Sequence, residues 1–218
     1  MTVEPPLPPR APDVAADLPA ADAETVVAEL FLDEAVLDGV DLSGRALHDL
    51  KLRGSRLRGI DLSDATLTGL DAADVVVEDG SWANAGLEQS TVARLEATGL
   101  RATGARLAGA RLADSTLADC RLDLTSFRHA ELDRVVFRDC RLEEADFYGA
   151  TLRSVRFERC VLTGATVAAA TFERCELRGC ELTDLVGVDR LAGTRMPLPD
   201  VIQIAGELAA ATGISVVD

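Results

Sequence analysis

The chain of 218 residues has few aromatic side chains, no long apolar run and almost no lysine. Aromatic residues are only 4% of a sequence that is 48% apolar, so a folded core must use many small and medium side chains. No apolar run approaches the length of a membrane-spanning helix. The N-terminus lacks a basic stretch followed by an apolar one, so it does not read as a secretory signal. These absences predict a cytoplasmic protein without a membrane partner.

Positive charge is also scarce, and Lys51 is the only lysine. The net charge is −15, which argues against direct binding of nucleic acid. The charge is unevenly distributed, because residues 1–36 carry a net of −7 and residues 37–186 a net of only −6. Nearly half of the excess charge therefore lies ahead of the repetitive body of the chain.

The body of the chain repeats every five residues. From Leu32 to Leu182, every fifth residue is apolar and the register never slips. A second series of smaller residues stands two positions before each of these and runs, for example, from Ala105 to Cys180. Neither the 3.6-residue period of a helix nor the two-residue period of a strand produces this pattern. Two inward positions in every five leave three for solvent, and these hold most of the Arg, Asp, Glu and Gly.

Units such as AlaAspPheTyrGly (145–149) and AlaArgLeuAlaGly (105–109) resemble the motif of the pentapeptide-repeat family. The segment RLDLTSFRHAELDRVVFRDCRLEEADF is similar to widespread uncharacterised bacterial members of that family. The resemblance implies an all-β solenoid, a right-handed quadrilateral β-helix with four pentapeptides per coil and a C-terminal α-helical cap. We expect about 7–8 coils, and about 7.5 coils at the strand spacing of a β-ladder give a rod about 36 Å long.

The ends of such a rod need covers, because its last coils expose unpaired strand edges and core. We expect an acidic, Pro-rich tail over residues 1–19, an N-terminal cap over 20–36, the β-helix over 37–186 and a C-terminal cap over 187–218. Within the last region, a helix is predicted at about 199–211. Its candidate contact residues cap the last coil or, as the alternative, form a homodimer through that end; they are Val201, Ile204, Ala205 and Leu208.

Cysteines recur every twenty residues in the inward series. If four pentapeptides close a coil, they stack in one structural column, which comprises Cys120, Cys140, Cys160 and Cys180. A metal site and disulfides are the alternatives. Packing is the preferred interpretation, because the spacing follows the repeat and lacks the Cys-x2-Cys of zinc sites.

Between residues 72 and 102 the large and small inward positions exchange their residues. Ala72, Ala97 and Ala102 occupy large positions, whereas leucines stand two residues earlier at Leu70, Leu95 and Leu100. The exchange conserves interior volume, so we expect the coil to continue through this region. A local bulge remains an open alternative there.

No enzymatic motif, metal site or cofactor site is evident. The only histidines, His48 and His129, fall at outward positions, and the sequence has no nucleophile elbow, phosphate-binding loop or dinucleotide-binding fingerprint. The remaining candidates for function are surface charges. One acidic belt without intervening Lys or Arg is the candidate partner-binding site; it comprises Asp61, Asp64, Asp71, Asp74, Glu78, Asp79 and Glu88.

Two functions are compatible with these features. The first is a non-enzymatic protein-interaction module whose protein partner is unknown. The alternative follows from the family resemblance: some members are acidic mimics of DNA that bind DNA gyrase and modulate it or protect it from inhibitors. Duplex DNA carries one charge per about 1.7 Å, so a rod of this length needs on the order of 20 negative charges. The net of −6 over residues 37–186 falls well short of that number, which favours the first function.

Overall fold

A computed structural model describes residues 3–215 as a parallel β-solenoid of about seven turns with short C-terminal helices. Residues 1–2 of the predicted tail and 216–218 of the predicted cap lie outside the described residues. Ladder partners are twenty residues apart along the rod, as in Lys51↔Asp71 and Asp71↔Thr91. Four pentapeptides therefore complete one circuit, and the predicted solenoid is confirmed.

Each circuit has four sides, which we number from the circuit that spans residues 51–70. The first side holds residues 51–53, the second 56–58, the third 61–63 and the fourth 66–68, together with their equivalents at multiples of twenty. The strands lie on the first and second sides; they are β1 (Phe31–Asp33), β2 (Val36–Asp38), β3 (Lys51–Arg58), β4 (Asp71–Glu78), β5 (Thr91–Thr98), β6 (Arg111–Ala118), β7 (Glu131–Arg138), β8 (Thr151–Arg153), β9 (Arg156–Glu158), β10 (Thr171–Glu173) and β11 (Glu176–Arg178). Single bridges such as Asp61↔Ser81 and Thr66↔Gly86 join the third and fourth sides.

The interior is a stack of identical layers. Four phenylalanines form two stacked pairs inside the C-terminal half, and their ring centroids are 4.8 Å apart for Phe127 and Phe147 and 5.1 Å apart for Phe137 and Phe157. Rings on the opposite second and fourth sides meet edge to face across the interior, as Phe147 and Phe157 do at 5.8 Å. Both geometries are favourable for aromatic pairs, so the few aromatic residues are concentrated where they contact one another.

The corners of each circuit turn through a left-handed residue. Glycine occupies some of these corners, but Asp and Arg occupy many others, such as Asp74 (φ 57°), Asp114 (φ 51°) and Arg134 (φ 52°). Because corners stack every twenty residues, charged side chains at successive corners lie directly above one another. The corner geometry therefore builds ladders of charge along the rod.

The coil continues through residues 72–102 without a slip in register. Strands β4 and β5 pair residue for residue on both sides, with Ala72 opposite Val92 and Val77 opposite Ala97. The local adjustment is at Gly80, where φ is 97° and an added Cβ would lie 2.5 Å from the carbonyl oxygen of Ile60. Glycine is required there because any side chain would collide with the backbone of the coil below.

At the N-terminal end, the ladder begins at Phe31, ahead of the predicted boundary at residue 37. Helix α1 (Ala23–Glu29) precedes it and is capped by the side chain of Asp22, which accepts a hydrogen bond from the Thr25 amide at 2.9 Å. The buried side chain of Val26 joins the core cluster, so α1 covers the first coil.

At the C-terminal end, a 3-10 turn (Val188–Leu191) leads into two short helices, α2 (Leu198–Gln203) and α3 (Ala205–Ala211), where the sequence predicts one helix at about 199–211. They separate at Ile204, which leaves helical geometry (φ −107°, ψ 15°) while its side chain is buried against the coil end. Asp200 accepts from the Gly179 amide at 2.6 Å, and Gln203 bonds the backbone of Leu182 and Cys180. These side chains satisfy polar groups of the last coil.

Candidate interaction surfaces

The cysteine column belongs to the packing of the core. All five cysteines are buried and free, and their thiols donate to carbonyl oxygens of the coil below, as Cys140 does to Leu117 at 3.3 Å and Cys160 to Phe137 at 3.4 Å. Burial raises the pKa of the neighbouring Cys175 thiol to about 11, which disfavours the reactive thiolate. Within residues 3–215 no group of His, Cys, Asp and Glu is arranged to hold a metal ion.

Two cavities inside the rod are small and mostly apolar. Their volumes are about 20 and about 50 Å³, and they lie around Trp82 and are lined almost entirely by apolar side chains. They are far smaller than the hundreds of Å³ that a small-molecule pocket occupies. The outer surface is therefore where binding groups are available.

The seven residues of the acidic belt are adjacent in sequence but separated around the rod. The twenty-residue register places them on all four sides and on three of the corners. Four of them pair with arginine: Asp71 with Arg53, Asp74 with Arg94, Glu78 with Arg58 and Glu88 with Arg106. Asp61, Asp64 and Asp79 make no ion pair within residues 3–215, and these three flank the third side.

The third side changes sign along the rod. One column of bridged residues begins with Asp41 and Asp61, passes through Ser81, continues as a stack of Arg101, Arg121 and Arg141, and ends with Val161 and Glu181. Arg141 contacts Asp123 and Glu143, whereas Arg101 donates to the Ser81 hydroxyl at 3.1 Å. This column is therefore acidic at both ends, and its three arginines lie in the middle beside acidic neighbours.

The fourth side carries an aromatic and basic cluster in its middle. The guanidinium carbon of Arg128 lies 4.5 Å from the centroid of the Tyr148 ring. The His129 ring meets the same ring edge to face at 5.7 Å. Asp146 fixes the arrangement, because it accepts from the Arg128 guanidinium at 2.7 Å and from the Tyr148 amide at 2.8 Å. Tyr148 remains 38% exposed. We call Arg128, His129 and Tyr148 the fourth-side cluster.

The N-terminal tail lies on the rod, along the corner column between the first and second sides. Its Arg10 amide donates to Asp114 at 3.2 Å and its Asp13 amide to Asp74 at 3.0 Å. Near its start, Glu4 pairs with Arg174 at 2.5 Å. The tail therefore runs antiparallel to the rise of the coils, from Arg174 towards Asp74. The sequence alone did not predict this contact, although the spacing of Pro6, Pro9 and Pro12 is a signal of it.

The predicted C-terminal contact residues differ in how deeply they are buried. Ile204 is buried against the coil end, Val201 and Leu208 are half-buried, and Ala205 is exposed. Leu198, Ile202 and Ile214 are exposed apolar side chains of the same end. The homodimer through this end stays a prediction, with these exposed residues as the ones that it would cover.

Comparison with known families supports the repeat assignment. A family model for the pentapeptide repeat region matches residues 103–167. The match confirms the predicted resemblance: these residues are a pentapeptide-repeat region, and the same twenty-residue register continues before and after them. A search of curated proteins found no match.

Several solved structures match this chain in part. A trypsin-treated variant of QnrB1, a plasmid-mediated fluoroquinolone resistance protein, is 20% identical, with 86% of this chain and 90% of that chain covered and a TM-score of 0.48. HetL, a pentapeptide repeat protein involved in heterocyst differentiation regulation in the cyanobacterium Nostoc sp. strain PCC 7120, is also 20% identical, with 78% and 90% covered and a TM-score of 0.36.

None of the helices formed by residues 3–215 has the length and apolar character needed to cross a membrane.

Proposed function

We propose that the protein is a non-enzymatic protein-interaction module that binds a protein partner through the fourth-side cluster. The observation that carries this proposal is the exposed Tyr148 ring, held between Arg128 and His129 on a rigid ladder. Tyrosine and arginine are enriched among the residues that dominate binding energy at protein interfaces. A side chain that is already positioned loses little conformational freedom when it binds.

The surroundings of the cluster favour a protein over a small molecule. The side is a continuous wall of short ladder segments without a deep concavity, and a flat wall suits another macromolecular surface. Catalysis has no support from this arrangement, because neither His129 nor His48 is hydrogen bonded to a nucleophile within the described residues.

Affinity capture from the native host with three proteins tests the proposal. The wild type, Tyr148→Ala and Thr98→Ala are immobilised, the last as a control on the exposed second side. We expect the wild type and Thr98→Ala to retain the same partner and Tyr148→Ala to retain at least about tenfold less. Equal retention by all three proteins would remove the cluster from the interface, and capture of nothing by the wild type would count against the module.

A gyrase-binding DNA mimic is the second candidate, and the acidic belt is its candidate surface. The observation in its favour is the net charge of −15 on a rod-shaped protein. The arginine pairs of four belt residues and the arginine stack of the third side weigh against it, because a DNA mimic needs an uninterrupted negative surface. Modulation of gyrase and protection from its inhibitors would both follow from such binding.

A supercoiling assay separates the two candidates. DNA gyrase is mixed with the protein at micromolar concentration, with and without a quinolone. No inhibition and no rescue would exclude the mimic. If inhibition occurs, replacing the unpaired Asp61, Asp64 and Asp79 by Asn should weaken it more than replacing the arginine-paired Asp71 and Glu88 by Asn and Gln.

A further inference from the structure

The contact between the tail and the rod follows two matched periodicities. Between residues 3 and 13, every third residue faces the rod and the two residues between are exposed. The residues that face the rod are Val3, Pro6, Pro9 and Pro12. A period of three is that of the polyproline II helix, which rises about 9.3 Å in three residues. Two coils of a β-ladder rise about 9.6 Å. One turn of the tail therefore spans almost the same length as two coils of the rod.

The hydrogen bonds follow this match. Arg10 and Asp13 are three residues apart, and their acceptors Asp114 and Asp74 are forty residues apart, which is two coils. Each of these donors directly follows an inward proline. A polyproline II segment has no internal hydrogen bonds, so its amides are free to donate to an external acceptor.

The acceptors are held in place before the tail binds them. Arg134 grips both carboxylate oxygens of Asp114, at 2.6 and 3.0 Å, and Arg94 grips both of Asp74, at 2.5 and 2.6 Å. Asp114 is only 4% exposed in the presence of the tail, and Ser154, two coils further along the same column, is 5% exposed. The column thus offers fixed polar groups at the spacing of one polyproline turn.

A wall of mixed character, in which Val136 stands among polar and charged side chains, lies beside this column. Residues 8–12 and the second side enclose a groove of about 320 Å³ whose wall includes Thr116, Val136 and Arg156. Val136 points outward from its strand and is nevertheless 3% exposed, because the tail lies over it. A valine that points away from the core would expose its methyl groups to solvent, and a ligand that packs on it removes this exposure.

We propose that this corner and the second side form a binding groove for a proline-rich protein segment in the polyproline II conformation. The segment carries proline at every third residue, followed by a residue with a free amide. The chain's own residues 3–13 occupy the groove as an intramolecular ligand, and a partner with the same register displaces them. The groove contacts the proline rings and two backbone amides of the tail, and the side chains of Glu4 and Arg10 add ion pairs with Arg174 and Asp114. The groove is separate from the fourth-side cluster and does not depend on it.

The test uses the full chain with a protease-cleavage sequence in place of the exposed residues 15–17. A fluorescent peptide of residues 1–14 is titrated against the intact protein and against the cleaved protein after its tail is washed away. We expect saturable binding to the cleaved protein and at least about tenfold weaker binding to the intact protein, because a tethered ligand competes at high effective concentration. A cleaved tail that resists washing also demonstrates the groove.

Three outcomes overturn the inference. If the tail leaves and the peptide does not bind the cleaved protein, the groove has no affinity for this segment. Equal binding to intact and cleaved protein would mean that the tail does not occupy the groove. A concentration-dependent dimer of the intact protein that cleavage dissolves would assign the groove to the tail of a second copy instead.

Matched variants separate recognition from folding. Asp139 and Arg159 form the same two-bond pair at 2.7 and 2.6 Å, on a corner that the tail does not contact. We expect Asp114→Asn to weaken peptide binding about tenfold and Asp139→Asn to leave it unchanged, because only the first removes a charged acceptor of the tail. A peptide with proline in place of Arg10 and Asp13 lacks both amide donors and the Arg10 guanidinium, which lies 3.4 Å from Asp114, whereas a peptide with alanine at both positions lacks the guanidinium but keeps both donors. We expect the proline peptide to bind at least about tenfold more weakly than the alanine peptide, and equal affinity of the two would contradict the hydrogen-bond register.

Discussion

Phe147 and Tyr148 are adjacent in the chain but belong to regions with different rules. Phe147 lies in the core between stacked and edge-on rings, and nothing of it reaches solvent. Tyr148 stands on the fourth side, with more than a third of its surface exposed. The residues inside the rod are constrained by side-chain volume and by the register of the repeat, whereas the residues on each outer side are constrained by the molecule that packs on that side. The inward residues can therefore be deduced from one sequence, but the outward residues can be interpreted only when that packed molecule is known.

The largest contrast between the two regions should appear in stability. Phe147→Ala removes a buried ring that makes one stacked and two edge-to-face contacts, and it should cost about 3–5 kcal/mol of unfolding free energy. Tyr148→Ala should cost about 1 kcal/mol or less, since its ring is exposed and loses mainly one cation–π contact. Chemical denaturation of both variants measures the difference. Similar losses would mean that the outer cluster is part of the folding core.

The interior could be predicted because five-residue periodicity and twenty-residue stacking follow directly from the sequence. The stacked phenylalanines and the cysteine column follow from the stacking of residues that are twenty apart. The position of the tail could not be predicted in the same way, because it depends on the near equality of two lengths that belong to different backbones. The break at Ile204 could not be predicted for a related reason. The helical pattern of residues 199–211 does not indicate which of its residues contacts the end of the last coil.

Val136 is an exception to this contrast, because it points away from the core and is nevertheless buried by the tail. Val136→Asp should cost about 1–3 kcal/mol, because it places a carboxylate beneath the tail without a partner. Thr98→Asp, on the uncovered part of the same side, should change stability by about 0.5 kcal/mol or less. Thermal melting compares the two variants, and an equal loss would place Val136 in solvent.

The pH dependence of the tail should give a smaller effect. Hydrogen bonds from Arg94 and Arg134 are the main reason that the pKa values of Asp74 and Asp114 lie below the ordinary 3.8. A carboxyl group with a lowered pKa in the folded state stabilises it above 3.8, and the contribution is lost as the pH falls through the lowered value. We therefore expect the tail to stay bound at neutral pH and to be released only below pH 3.8.

The amide chemical shifts of Arg10 and Asp13, followed by NMR during acid titration, report this release. The Ala170 amide, which donates to the carbonyl oxygen of Val167 and has no acidic residue beside it in the sequence, serves as a control that should move little. A transition of the tail amides near neutral pH would contradict the role of these carboxylates.

Hydrogen exchange of the tail amides in the unmodified protein is the sharpest test of whether the tail occupies its groove. Arg10 and Asp13 donate to carboxylates of the rod, whereas the amide of Ala11 between them has no acceptor within residues 3–215. If the tail lies in the groove in solution, Arg10 and Asp13 should exchange at least about tenfold more slowly, relative to their intrinsic rates, than Ala11. Equal relative rates for all three amides would show that the groove is empty and would contradict the assignment of the tail to this surface of the rod.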